Sequence, residues 1–150
     1  MFVREIMANR LVYTTPDASL QDVARQMADN DCGQIPVVES AQSHKLVGVI
    51  TDRDIVCRAV AQGRNPLELK ARDCMSSPVV TASADANLEE ICQLMEQHQI
   101  RRVPVIDAGG KVLIGIVSQA DIARVGTDKR AGHVVKEVSR QTASPSAVTH

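Results

Sequence analysis

Apolar positions along the chain follow a helical period, then an extended one, then a helical period again, and this succession occurs twice. In "SLQDVARQM" Leu20, Val23, Ala24 and Met27 fall on one helical stripe, with Ser19 and Asp22 ahead of it at capping-box spacing. In "NLEEICQLM" Leu88, Ile91, Cys92 and Met95 form the same stripe behind Asn87 and Glu90. Two apolar runs follow each helix, "IPVV" then "KLVGVI" in the first case and "VPVI" then "VLIGIV" in the second. Runs this short and rich in Val and Ile predict strands. The turn between the second pair, "DAGGK", has the glycines a hairpin demands. A further helix opens at Thr51 or at Ser118, and Gly63 and Gly126 are placed to end it. Ahead of each unit lies a short extended piece, "LVYT" or "VVTA", preceded by a segment ending in methionine, "VREIM" or "KARDCM".

The two successions are one unit repeated. Shifted by 68 positions, Arg4, Met7, Val12, Asp17, Leu20, Met27, Pro36 and Val37 meet identical residues. One deletion in the polar turn "ESAQSHK" changes the shift to 67, and Leu46, Gly48, Asp54 and Ile55 then meet Leu113, Gly115, Asp121 and Ile122. A gap confined to a turn is where a duplicated fold tolerates one. The expected fold is α/β in the α+β sense, with two repeats, each a small three-stranded sheet with two helices. One such repeat buries too little apolar surface alone, so the two are expected to pack sheet to sheet about a pseudo-twofold axis with a cleft between them. The boundaries are 3–63 for the first repeat, 64–70 for a linker, 71–126 for the second repeat and 127–150 for a Ser/Thr-rich tail that is expected to be largely disordered.

Composition narrows the function. The formal net charge of −1 gives no field to draw in DNA or an anionic membrane. One Tyr, one Phe and no Trp leave nothing on which single-stranded nucleic acid would stack. Arg4, Glu5 and Arg10 interrupt the N-terminal run, so it does not read as a secretory signal, and no stretch reaches the ~20 apolar residues of a membrane span. A cytoplasmic location is expected, with neither a nucleic-acid nor a membrane partner. Cys32, Cys57, Cys74 and Cys92 then read as reduced thiols. His44, His98, His133 and His150 add no ligand spacing, and no metal is predicted.

Two stretches carry candidate chemistry. "GVITDRDIV" and "GIVSQADIA" place a hydroxyl residue three positions before an acid, Thr51 before Asp54 and Ser118 before Asp121. On spacing alone this is a capping box. A second reading comes from position, since both lie where a strand turns into a helix and the amides of a helix start suit an anion. Arg101 and Arg102 stand just before the strand "VPVI", where the first repeat has Gly33 and Gln34. They read either as a solvated strand edge or as a guanidinium clamp for phosphate. An acid does not bind phosphate but does accept hydrogen bonds from adjacent ribose hydroxyls. Hydroxyl, acid and arginine together suggest a nucleotide. No Gly-rich phosphate loop, nucleophile elbow or metal cluster is present, so catalysis is not predicted.

The repeat length, "IPVV…GVITDRD" and "VPVI…GIVSQAD" resemble a pair of CBS domains, the modules named after cystathionine β-synthase, over about residues 3–126. The runs "TDRDIV", "MEQHQIRRVPVI" and "ADIAR" are similar to the small stand-alone bacterial members. The resemblance implies a regulatory module binding an adenosine-containing ligand (AMP, ADP, ATP, S-adenosylmethionine or NAD), and a homodimer or an unknown protein partner that receives the signal. Carried over by motif, it implies one site from Thr51, Asp54, Ser76, Pro78, Val79, Arg101 and Arg102. The related site would use Ser118 and Asp121 with Ala8, Arg10, Leu11, Gly33 and Gln34. The second lacks the arginine pair and is expected to be weaker, empty or suited to a less charged ligand. The alternative is a dimerisation or interaction module without a nucleotide, in which both motifs serve only as caps.

Overall fold

The architecture is that of a computed structural model in which residues 1–8 and 10–125 are described. The expected tail over 127–150 and the cap at Gly126 lie outside the described residues. The chain has mixed α and β structure with two small sheets.

Helix α1 (Leu20–Asn30) starts because Ser19 Oγ accepts from the Asp22 amide at 3.1 Å. Helix α3 (Leu88–His98) starts because Asn87 Oδ1 accepts from the Glu90 amide at 2.9 Å. Each satisfies a donor that a helix N-terminus leaves open. Both end on a left-handed residue that is not glycine, Asp31 with φ 49° and Gln99 with φ 52°. On the buried face of α1 lie Leu20, Val23 and Met27, while Ala24, assigned to that stripe by spacing, is exposed. Ile91, Cys92 and Met95 are the buried face of α3.

Strand β1 (Gln34–Val38) pairs antiparallel with β2 (Leu46–Thr51), setting Ile35 opposite Ile50. Strand β3 (Ala82–Ser83) pairs in parallel with β4 (Arg102–Ile106), which neighbours β5 (Leu113–Ser118). The counterpart of β3 in the first repeat shrinks to one parallel bridge between Thr14 and Val37, so the first sheet has two full strands where three were expected. Pro36 fits that bridge. Its carbonyl accepts from the Thr14 amide at 3.0 Å, and the bond back is made by the Val38 amide at 2.8 Å, so the missing proline N–H is not needed. Helix α2 (Asp52–Ile55) widens into a π-helical segment over Val56–Val60, and the chain leaves it through Gly63 at φ +73°. Helix α4 (Gln119–Val125) follows β5.

The chain divides into two compact units that do not coincide with a simple cut between the repeats. The Thr51 unit comprises Arg10–Val79 with Lys111–Leu113, and its core is built on Leu20, Val23, Ile35, Val37 and Ile50. The Ser118 unit comprises residues 1–8, Val80–Gly110 and 114–125, around Val3, Ile91, Met95, Val103 and Ile122. Each unit therefore contains the methionine-ending leader segment of the other repeat.

The attachment is the same in both units and accounts for the identities that the repeat keeps. Val3 N–H donates to Ala86 O at 2.8 Å, and Ala71 N–H donates to Ala18 O at 2.9 Å. Arg4 forms an ion pair with Asp85, and Arg72 forms one with Asp17. These four residues are the repeated arginine and aspartate. Exposed pairs of this kind add little stability, but they fix the leader's register. The leader then bridges the sheet edge, Ala8 to Ile116 and Ser76 to Val49. The repeated glycine makes room for it. A Cβ on Gly48 would stand 3.0 Å from Ser76 O and 3.2 Å from Met75 Sδ, and one on Gly115 would stand 2.5 Å from Met7 Sδ and 3.1 Å from Ala8 O.

Candidate functional site

The end of β2 carries the first candidate motif. Thr51 Oγ1 accepts from the Asp54 amide at 3.0 Å, and Asp54 Oδ2 accepts from the Thr51 amide at 3.0 Å. The capping box is thus closed, but it uses only one carboxylate oxygen. The other, Oδ1, faces Ser76 Oγ at 3.5 Å, the outer limit of a hydrogen bond. Ser76 is held there by its leader segment, whose amide donates to Val49 O at 2.8 Å and whose carbonyl accepts from the Val49 amide at 3.0 Å. The structure therefore brings Thr51, Asp54 and Ser76 together. Pro78 is exposed and Val79 half-buried two and three residues further along the same segment.

Arg58 is a member of this neighbourhood that sequence reasoning missed. Its Nη1 donates to Cys74 O at 3.0 Å and to Met75 O at 2.7 Å, tying α2's extension to the segment just before Ser76. The signal available was its break with the repeat, since Val125 stands at the matching position. Cys74 beneath it is buried. Burial pushes its thiol pKa up, while the Arg64 charge acts the other way, so the group is an inert core thiol and not a nucleophile.

The second motif closes the same box. Ser118 Oγ accepts from the Asp121 amide at 3.1 Å, and Asp121 Oδ2 accepts from the Ser118 amide at 2.8 Å. Its remaining oxygen differs: Asp121 Oδ1 is ion-paired with Arg124. The residue matching Arg124 in the Thr51 unit is Cys57, an exposed side chain with no guanidinium to offer. Asp121 is 8% exposed. Ala8, where the other unit has Ser76, offers no hydroxyl here.

The other predicted residues are placed as follows. Arg101 is exposed and Arg102 half-buried, both in the Ser118 unit, and Arg101 O accepts from the Gln119 amide at 2.8 Å. Gly33, Gln34, Arg10 and Leu11 lie in the Thr51 unit. Gly33 O accepts from the Asp52 amide at 3.0 Å, and a Cβ there would stand 2.9 Å from Asp52 Oδ2. An acid, Asp52, thus borders the position that corresponds to Arg101.

The profile of the CBS domain family matches residues 3–60 and 71–128. CBS domain-containing protein YhcV of Bacillus subtilis is 36% identical over 140 residues, covering 93% of this chain and 96% of that protein. An uncharacterised Methanopyrus kandleri protein, MK0525, is 37% identical over 123 residues, 82% of this chain, and the match spans only 61% of that relative's length. Among solved structures, hypoxic response protein I with two coordinated zinc ions superposes with a TM-score of 0.75 at 34% identity, over 85% of this chain and all of that one. CBSX2 in complex with AMP gives 0.71 at 26% identity over 90% and 98% of the two chains. The CBS pair of MJ0100 in complex with 5′-methylthioadenosine and S-adenosylmethionine gives 0.71 at 27% over 83% and 94%. Among the described residues no three His, Cys, Asp or Glu side chains converge as a metal site would require. Two profile matches covering most of the chain, together with these relatives, show that it belongs to the CBS domain family and is a CBS pair, a regulatory module.

Proposed function

We propose that this CBS pair is a non-catalytic sensor of an adenosine-containing ligand, with AMP, ADP or ATP preferred and S-adenosylmethionine or NAD as further candidates. The observation that carries the reading is the second carboxylate oxygen of Asp54. The helix cap takes Oδ2, and Oδ1 is left facing a hydroxyl, available to accept from the adjacent hydroxyls of a ribose. The reading assigns Thr51 and Ser76 to the ribose or phosphate, the backbone of Pro78 and Val79 to adenine, and Arg101 and Arg102 to phosphate. The complexes of CBSX2 with AMP and of MJ0100 with adenosine derivatives support the ligand class. Binding would act by favouring one arrangement of the pair or of a homodimer, to the extent that the ligand's affinity differs between arrangements. The cytoplasm is the proposed location; no described helix is long and apolar enough to cross a membrane.

A second reading, an interaction module without a ligand, is favoured by two observations: both boxes are fully closed as caps, and Val56, Val60 and Leu67 are exposed. A thermal-shift panel of AMP, ADP, ATP, NAD and S-adenosylmethionine decides between them. A ligand at about 100 times its dissociation constant stabilises by ~2.7 kcal/mol and moves the midpoint by several degrees. No shift with any member of the panel would overturn the sensor reading.

A further inference from the structure

The two capping boxes match atom for atom but are neutralised differently. At Asp121 the cap holds Oδ2 and the Arg124 guanidinium holds Oδ1, so both oxygens have a protein partner. At Asp54 the cap holds Oδ2, Oδ1 meets a hydroxyl at 3.5 Å, and the residue matching Arg124 is Cys57. A guanidinium presents two N–H donors side by side, the same pattern that two adjacent ribose hydroxyls present to a carboxylate. Arg124 Nη2 therefore makes with Asp121 Oδ1 the contact that one ribose hydroxyl would make with Asp54 Oδ1.

We propose that Arg124 is an internal occupant of the Asp121 end: it holds the carboxylate oxygen that a ribose hydroxyl would use and keeps that end closed, so that one chain binds one adenosine-containing ligand instead of two. The inference rests on the reading of Asp54 as the ribose acceptor. It explains why two ends with the same cap are not two equal sites. It makes Arg124, which sequence reasoning passed over within "ADIAR", the residue that sets stoichiometry. Arg124 is reached easily by mutation, because its side chain is 70% exposed and outside the buried core.

Calorimetric titration of the full chain with AMP, and separately with adenosine, tests this. Adenosine is included as a probe that carries the ribose without a phosphate. The expected result is one equivalent per chain for the unaltered protein and two for Arg124→Ala. The added equivalent should disappear in Arg124→Ala combined with Asp121→Asn, a substitution that keeps an oxygen for the cap. Two equivalents in the unaltered chain, or one in Arg124→Ala, would overturn the role of Arg124 while leaving the sensor reading intact. A new equivalent in Arg124→Ala when the unaltered chain binds none would support Arg124 as occupant and overturn the assignment of Asp54. No binding by either protein would overturn both.

Discussion

The Asp54 and Asp121 ends are built from matching residues, closed by matching hydrogen bonds, and left in different chemical states. At both ends a hydroxyl and an acid close a capping box, and at both the leader of the other repeat bridges the neighbouring strand. Only the Asp54 end adds a hydroxyl from that leader, Ser76, and an arginine, Arg58, that ties the leader down. Only the Asp121 end spends an arginine on the carboxylate itself. A repeat can thus keep its architecture while two or three side chains give its two ends different surroundings.

The largest effect expected is on the shared architecture. Gly115→Ala and Gly48→Ala each drive a methyl into the leader segment, against Met7 Sδ and Ala8 O in one case and Ser76 O in the other. Overpacking of this kind costs about 1–3 kcal/mol, so thermal unfolding should drop by several degrees in both variants. Gly48→Ala should also weaken AMP binding, because it displaces the carbonyl of Ser76, whereas Gly115→Ala should not. Equal binding losses would erase the distinction between the ends. Next in size is Arg58→Ala. Loss of two hydrogen bonds to Cys74 O and Met75 O should lower AMP affinity by roughly 3–10-fold, about 1 kcal/mol, with Val125→Ala unchanged by the same titration.

The smallest effects concern the thiols. Cys57 is exposed and should react with a thiol reagent at once, while Cys74 and Cys92 should react only on unfolding. Burial raises the Cys74 pKa in the folded state, so the neutral thiol contributes stability that is complete below the free-thiol range of about 8.5 and is lost as pH climbs through the raised value. Unfolding midpoints measured from pH 8 to 10.5 should fall less steeply in Cys74→Ala. An identical slope would remove burial of Cys74 as the cause.

Much of this was legible in the sequence because it is periodic. The helix stripes, the caps at Ser19, Asn87, Thr51 and Ser118, and the strand pairs follow from spacing and residue type. The left-handed ends at Asp31 and Gln99 were not legible, since neither is glycine. Nor did the exchange of leader segments follow from spacing; only the family resemblance set Ser76 with Asp54 and Ala8 with Asp121. Repeated identities at Arg4, Asp17 and Gly48 show that a position is constrained, but not that its partner lies in the other copy. Arg58 and Arg124 were not legible because spacing places each on a helix without giving the carbonyl or carboxylate that its side chain reaches.

The proposed function requires Asp54 both to cap α2 and to accept a ligand, whereas Asp121 caps α4 and is held by Arg124. Asp54→Asn separates the two roles, because the amide oxygen can still accept from Thr51 while the charge is lost. Paired calorimetric titrations of Asp54→Asn and Asp121→Asn with AMP test this most directly. The account predicts at least a tenfold loss of affinity in Asp54→Asn, about 1.4 kcal/mol or more, with little change in melting temperature, and unchanged affinity in Asp121→Asn. Equal affinities in both variants, or a loss confined to Asp121→Asn, would contradict it.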